Sequence, residues 1–122
     1  MLKRLSESEL DVMLVVWRAQ EALDTGEVAR RLQKGCKKQD VQLVFGRLVK
    51  KGYLSCEKNG RLNYYTPLVA EADYRAAETE TFVEKLYRNS PKSLIAALVQ
   101  SQPLSKEDLE EIRALLGRGE ES

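Results

Sequence analysis

Gln39–Pro67 reads QDVQLVFGRLVKKGYLSCEKNGRLNYYTP, and the order of signals within it decides the fold. Val41, Val44, Phe45, Leu48 and Val49 recur at helical spacing and predict one buried stripe. Gln42, Leu43, Gly46, Arg47 and Lys50 fall on the opposite face. The helix is expected from roughly Lys38 to Lys51, with Gly52 as its stop. Lys50 and Lys51 sit in its last turn, where the carbonyl end of the dipole favours cations. Asn59-Gly60 then signals a two-residue hairpin turn between the strand-like segments YLSCEK and RLNYYT. Alternation along the second strand sends one of Tyr64 and Tyr65 inward and the other outward. Pro67 closes that strand, because it has no N–H to continue a ladder.

Upstream, Ser6 and Glu9 form a capping box, and Leu5 with Leu10 a hydrophobic staple. Leu10, Met13, Leu14 and Trp17 then predict the buried face of a first helix, with Trp17 a core residue. The connector AQEALDTG leads to a second helix at about Glu27–Lys34, capped by Asp24 or Thr25, with Val28 and Leu32 pointing inward. Gly35 is its expected stop, and KGCKK separates it from the next helix. Two short helices joined by a tight Gly-containing turn make a helix-turn-helix. With the hairpin appended, residues 1–70 read as a winged helix-turn-helix domain.

After Pro67 the composition changes. A long helix is expected around AEADYRAAETETFVEKLYRN. Ser90-Pro91 opens another, KSLIAALVQ. Ser105 caps a last helix, with Leu104 stapling onto Leu109 and a frayed GRGEES tail. Three short amphipathic helices cannot bury their stripes well alone. Residues 71–122 are therefore expected to pair with a second copy across a two-fold axis, rather than fold back on the first domain. The interface would comprise Tyr74, Phe82, Leu86, Leu94, Ile95, Leu98, Leu109, Ile112 and Leu116. The fold class is mainly α with one small β-hairpin.

A formal net charge of +1 conceals an asymmetry. Residues 1–70 carry 13 Lys/Arg against 8 Asp/Glu, a net of +5, and residues 71–122 carry 7 against 11, a net of −4. Within 30–61 the count is 10 basic to 2 acidic. Basic charge gathered on a helix and a hairpin is the footprint of a polyanion partner. Double-stranded DNA is the partner this predicts. Gln39, Gln42 and Leu43 would face base edges, with Gln42 suited to adenine and Leu43 able to meet only an apolar group such as a thymine methyl. Lys37, Lys38, Arg47 and Lys50 would hold phosphates, and Lys58, Asn59 and Arg61 would set the wing against the backbone or minor groove. Asp40 and Leu43 on the reading face keep a second reading open, a winged-helix module that binds protein.

Other classes find little support. The chain has no histidine and two cysteines, Cys36 and Cys56, too few soft ligands for the usual zinc site or for a disulfide framework. No Gly-rich phosphate loop or metal-ligand cluster appears, so neither an enzyme nor a cofactor is expected. The acidic runs Glu107-Asp108 and Glu110-Glu111 read as a solvated helix face. MLKRLSESEL lacks the apolar core of a secretory signal, and the apolar run Val12–Trp17 is too short to span a membrane. The expected location is cytoplasmic.

LSESELDVMLVVW, GRLVKKGYL, EKNGRLNYYTPLV and the tail from SPKSLIAALV to LSKEDLEEIRALL resemble the penicillinase and methicillin-resistance repressors (BlaI/MecI type, with copper-responsive CopY relatives). The resemblance spans almost the whole chain. It implies a dimeric winged-helix transcriptional repressor that binds an inverted-repeat operator and is removed by an inducing signal. Arg47, Lys50 and Arg61 match the family's basic positions. Three features depart from its pattern. The reading helix opens Asp40-Val41-Gln42-Leu43 where the family has a Thr-rich pattern, which implies a different operator. Ala97-Leu98 replaces the Asn-Phe pair at which antibiotic-responsive members are cleaved. The tail lacks the cysteine cluster of the copper-responsive relatives.

Overall fold

The computed structural model describes residues 2–32 and 37–121. It comprises helices α1 (Glu7–Ala19), α2 (Thr25–Arg31), α3 (Lys38–Lys50), α4 (Glu71–Leu86), α5 (Pro91–Ser101) and α6 (Lys106–Glu121), and strands β1 (Leu23–Asp24), β2 (Leu54–Asn59) and β3 (Leu62–Pro67). The chain divides into two compact units, 1–79 and 80–122, and the division falls inside α4. The boundary expected at residue 70 precedes this division, which groups the first turns of α4 with the first unit. Among the described residues no helix is long and apolar enough to cross a membrane.

In the first unit Ser6 caps α1 through the expected reciprocal box with Glu9. The buried row of α1 is Glu9, Val12, Met13 and Val16, while Leu10 and Trp17 flank it half-buried. The expected face is therefore turned by about one position. A hydrophobicity count passes over Glu9 and cannot find the row that contains it. Asp24 caps α2 with a second reciprocal box to Glu27. The helix stops at Arg31, short of the Lys34 expected, and the Gly35 stop lies outside the described residues.

In α3, Val41, Phe45 and Leu48 are buried as expected, but Val44 is only half-buried and Val49 is exposed. The helix closes as a Schellman motif: the Tyr53 amide donates to the Leu48 carbonyl at 2.9 Å and the Gly52 amide to the Val49 carbonyl at 3.1 Å. That motif needs a left-handed residue after the cap, which Gly52 supplies at φ +84°.

β1 was not foreseen, since two residues carry no periodicity. It pairs antiparallel with β3, which also pairs with β2, giving the order β1-β3-β2. Asn59 faces Leu62, so Gly60 and Arg61 form the turn, one residue later than Asn59-Gly60. Gly60 alone takes a positive φ, +67°, matching a turn with Gly at its first central position. Tyr65 turns inward, its ring stacked on Phe45 with centroids 3.9 Å apart and planes 1° from parallel. This contact ties wing to reading helix.

Val69, between β3 and α4, accepts a 2.8 Å hydrogen bond from the Trp17 indole. Tyr74 lies in this same core. Its hydroxyl accepts from the Leu5 amide and its ring contacts both Trp17 and Tyr53. Tyr74 therefore leaves the expected dimer seam: its position at the start of α4 makes it a core residue of the first unit.

In the second unit Ser90 caps α5, with Pro91 at the first helical position. Ser105 and Asp108 cap α6 reciprocally at 3.0 and 3.1 Å. The tail expected to fray continues α6 to Glu121. Among the described residues of this unit none is fully buried. Phe82, Leu86, Leu98, Leu109, Leu115 and Leu116 are exposed, and Leu94, Ile95 and Ile112 are half-buried.

Candidate nucleic-acid interface

The buried stripe of α3 fixes which way the helix faces. With Val41, Phe45 and Leu48 held in the core, Gln39, Gln42, Leu43, Gly46, Arg47 and Lys50 all face out and are exposed. Lys37 and Lys38 stand exposed at the N-terminal end, where Lys37 occupies the cap position and makes no side-chain cap bond. Lys58, Asn59 and Arg61 stand exposed at the tip of the wing. A cleft of about 150 Å³ joins the two parts: Lys38 and Gln42 line it from α3, Arg61, Leu62 and Asn63 from the wing, and Asp24 and Thr25 from the start of α2. Asp24, Thr25 and Asn63 were not foreseen here. The β1–β3 pairing brings them together, and no sequence pattern announces it.

The ten basic residues counted in 30–61 are not equivalent. The Lys51 ammonium is bonded to Glu9, and Arg31 stands 3.5 Å from Glu21. The Arg30 charge acts on Asp24. The hydrogen bond from the Glu27 amide outweighs burial and holds the Asp24 carboxyl below its usual range, with Arg30 adding to the effect. Lys34 is outside the described residues. Lys37, Lys38, Arg47, Lys50, Lys58 and Arg61 remain, and none of the six enters an ion pair among the described residues. Lys51 was the hidden exception. Glu9, a carboxylate in the otherwise apolar buried row of α1, requires a cation there, and that row has no signature in the hydrophobic pattern.

Within this surface one apolar side chain stands out. Leu43 is 66% exposed in the middle of the basic face. Beside Leu43, with Gln39 and Gln42, lies a concavity of about 350 Å³. Gly46, one turn further along, is as open: a Cβ added there would meet nothing within 4 Å.

The chain is 31% identical to the penicillinase repressor of Bacillus licheniformis over 94% of its length and 91% of that protein's. It is 27% identical to the methicillin resistance regulatory protein MecI of Staphylococcus aureus, over 93% of its length and 94% of that protein's. The solution structure of monomeric B. licheniformis BlaI in complex with the blaP half-operator matches 61% of this chain and 92% of that one, with a TM-score of 0.50 and 37% identity. Residues 5–118 match the model of the penicillinase repressor family, and the chain belongs to that family.

Proposed function

We propose that the protein is a DNA-binding transcriptional repressor of the BlaI/MecI type, acting as a homodimer on an inverted-repeat operator in the cytoplasm. One observation carries the reading: six cations that enter no ion pair among the described residues gather on α3 and the wing, around a face that the core obliges to look outward. Lys37, Lys38, Arg47 and Lys50 hold phosphates and set the register of α3 in the major groove, while Lys58, Asn59 and Arg61 place the wing on the flanking backbone. Gln39, Gln42 and Leu43 meet base edges. Residues 80–122 supply the dimer contact through Phe82, Leu86, Leu94, Ile95, Leu98, Leu109, Ile112 and Leu116, whose apolar faces find no full cover within their own unit. Two copies present two reading helices to two half-sites. An operator overlapping a promoter would exclude polymerase, so repression is steric.

The test is selection of bound duplexes from a random pool, followed by salt titration. A palindromic sequence is expected. Arg47→Ala weakens binding to all duplexes and lowers the salt slope by about one. Unchanged affinity in that variant would remove α3 from the interface. Failure to enrich any duplex would favour a protein-binding winged-helix module.

A further inference from the structure

Gly46 sits in the interior of a 13-residue helix, where glycine is the worst residue short of proline. The fold does not ask for it: its φ is not positive and an added Cβ would meet open space. Its neighbour on the same face, Leu43, exposes two thirds of its surface to water. One residue is too small for stability and the other too apolar for a solvated face. They lie three positions apart, adjacent on the helix surface, among Gln39, Gln42, Arg47 and Lys50. A polyanion held by those cations brings a specific apolar group to that spot, since the thymine C5-methyl is the one apolar feature of the major-groove edge.

We propose that Leu43 and Gly46 form a seat for a thymine methyl group, Leu43 providing the apolar contact and Gly46 the bare surface that lets the base edge approach. This rests on the operator reading above and specifies it: each half-site contains an A·T pair whose methyl is read by Leu43. Substituting Gly46 by alanine would stiffen the helix and occupy the space the base needs.

The experiment uses the full chain and its selected duplex. Each thymine of one half-site is replaced in turn by deoxyuridine, which removes only the methyl. At one position wild-type affinity falls about fourfold, the worth of one buried carbon group. Leu43→Ala binds the thymine and uracil duplexes equally there, and Gly46→Ala melts higher than wild type yet binds the operator more weakly. A duplex that is bound but shows no thymine at which Leu43→Ala abolishes the methyl effect overturns the seat and leaves the repressor reading standing. Failure to select any duplex overturns both. Because the methyl is removed from the DNA, the ratio of thymine to uracil affinity measured for each protein does not depend on how much of that protein is folded.

Discussion

Lys51 Nζ lies 2.6 Å from Oε1 of Glu9, a carboxylate with 2% of its side chain exposed. The same carboxylate oxygen accepts the Ser6 amide at 2.8 Å. The C-terminal end of the reading helix is thereby tied to the first turn of α1 by a charge pair with one end in the core. Burial alone would raise the Glu9 pKa. The hydrogen bond from Lys51 and those from the Ser6 backbone and hydroxyl overcome it and hold the carboxyl below its ordinary value of 4.5.

Removing the cation strands that carboxylate. Lys51→Met is expected to lower stability at neutral pH by about 2 kcal/mol, less than the ~3–5 kcal/mol of a wholly buried pair because the lysine keeps some water. Denaturant unfolding measures this. Since the folded pKa of Glu9 is depressed, its contribution is complete above the ordinary carboxylate range and disappears as pH falls through the folded value. In Glu9→Gln the stability curve below pH 4.5 should flatten relative to wild type. Parallel acid curves would mean that other carboxylates govern acid unfolding.

The Phe45–Tyr65 stack joins reading helix to wing inside the core, with Phe45 fully buried. Phe45→Ala should cost about 3–4 kcal/mol through lost burial and the cavity left behind. A loss below about 1 kcal/mol in chemical unfolding would show that the wing collapses onto the vacated space.

Gln20 ends α1 in the left-handed conformation, at φ +59°. A side chain there is strained where glycine is not. Gln20→Gly is expected to stabilise the protein by about 1 kcal/mol, read as a raised melting temperature. Destabilisation would reveal a contact of the Gln20 side chain that outweighs its backbone.

Leu98 is 46% exposed within its own unit, so a charge there should disturb that unit little. In an apolar seam between copies the same charge is expensive. Sedimentation of Leu98→Asp should show monomers at concentrations where wild type is dimeric, with helix content by circular dichroism unchanged. A dimer that survives places the seam elsewhere on these helices.

The reading helix, its outward face and the hairpin were legible because each has a local signal: a 3.6-residue period, a glycine stop, and an Asn-Gly pair beside alternating strands. The capping box of α1 and the Ser105 cap of α6 were legible for the same reason. What escaped depends on pairs distant in sequence. β1 exists because Leu23 meets Tyr65. The burial of Glu9 depends on a lysine 42 positions away. Tyr74 belongs to the core because Leu5, Trp17 and Tyr53 converge on it. A charge count therefore gave the sign and place of the basic face but overstated its strength, since it could not separate Lys51 from Lys50.

Trp17 is the chain's sole tryptophan, and its indole bonds the Val69 carbonyl while its ring centre lies 5.8 Å from that of Tyr74. Nature has thus installed a single optical reporter at the junction where the chain leaves the wing and enters α4. Its emission should report on the packing of Val69 and Tyr74 around the indole. Operator DNA, a second copy of the chain or an inducing signal could then be ranked, without labels, by whether each one changes the light from one indole.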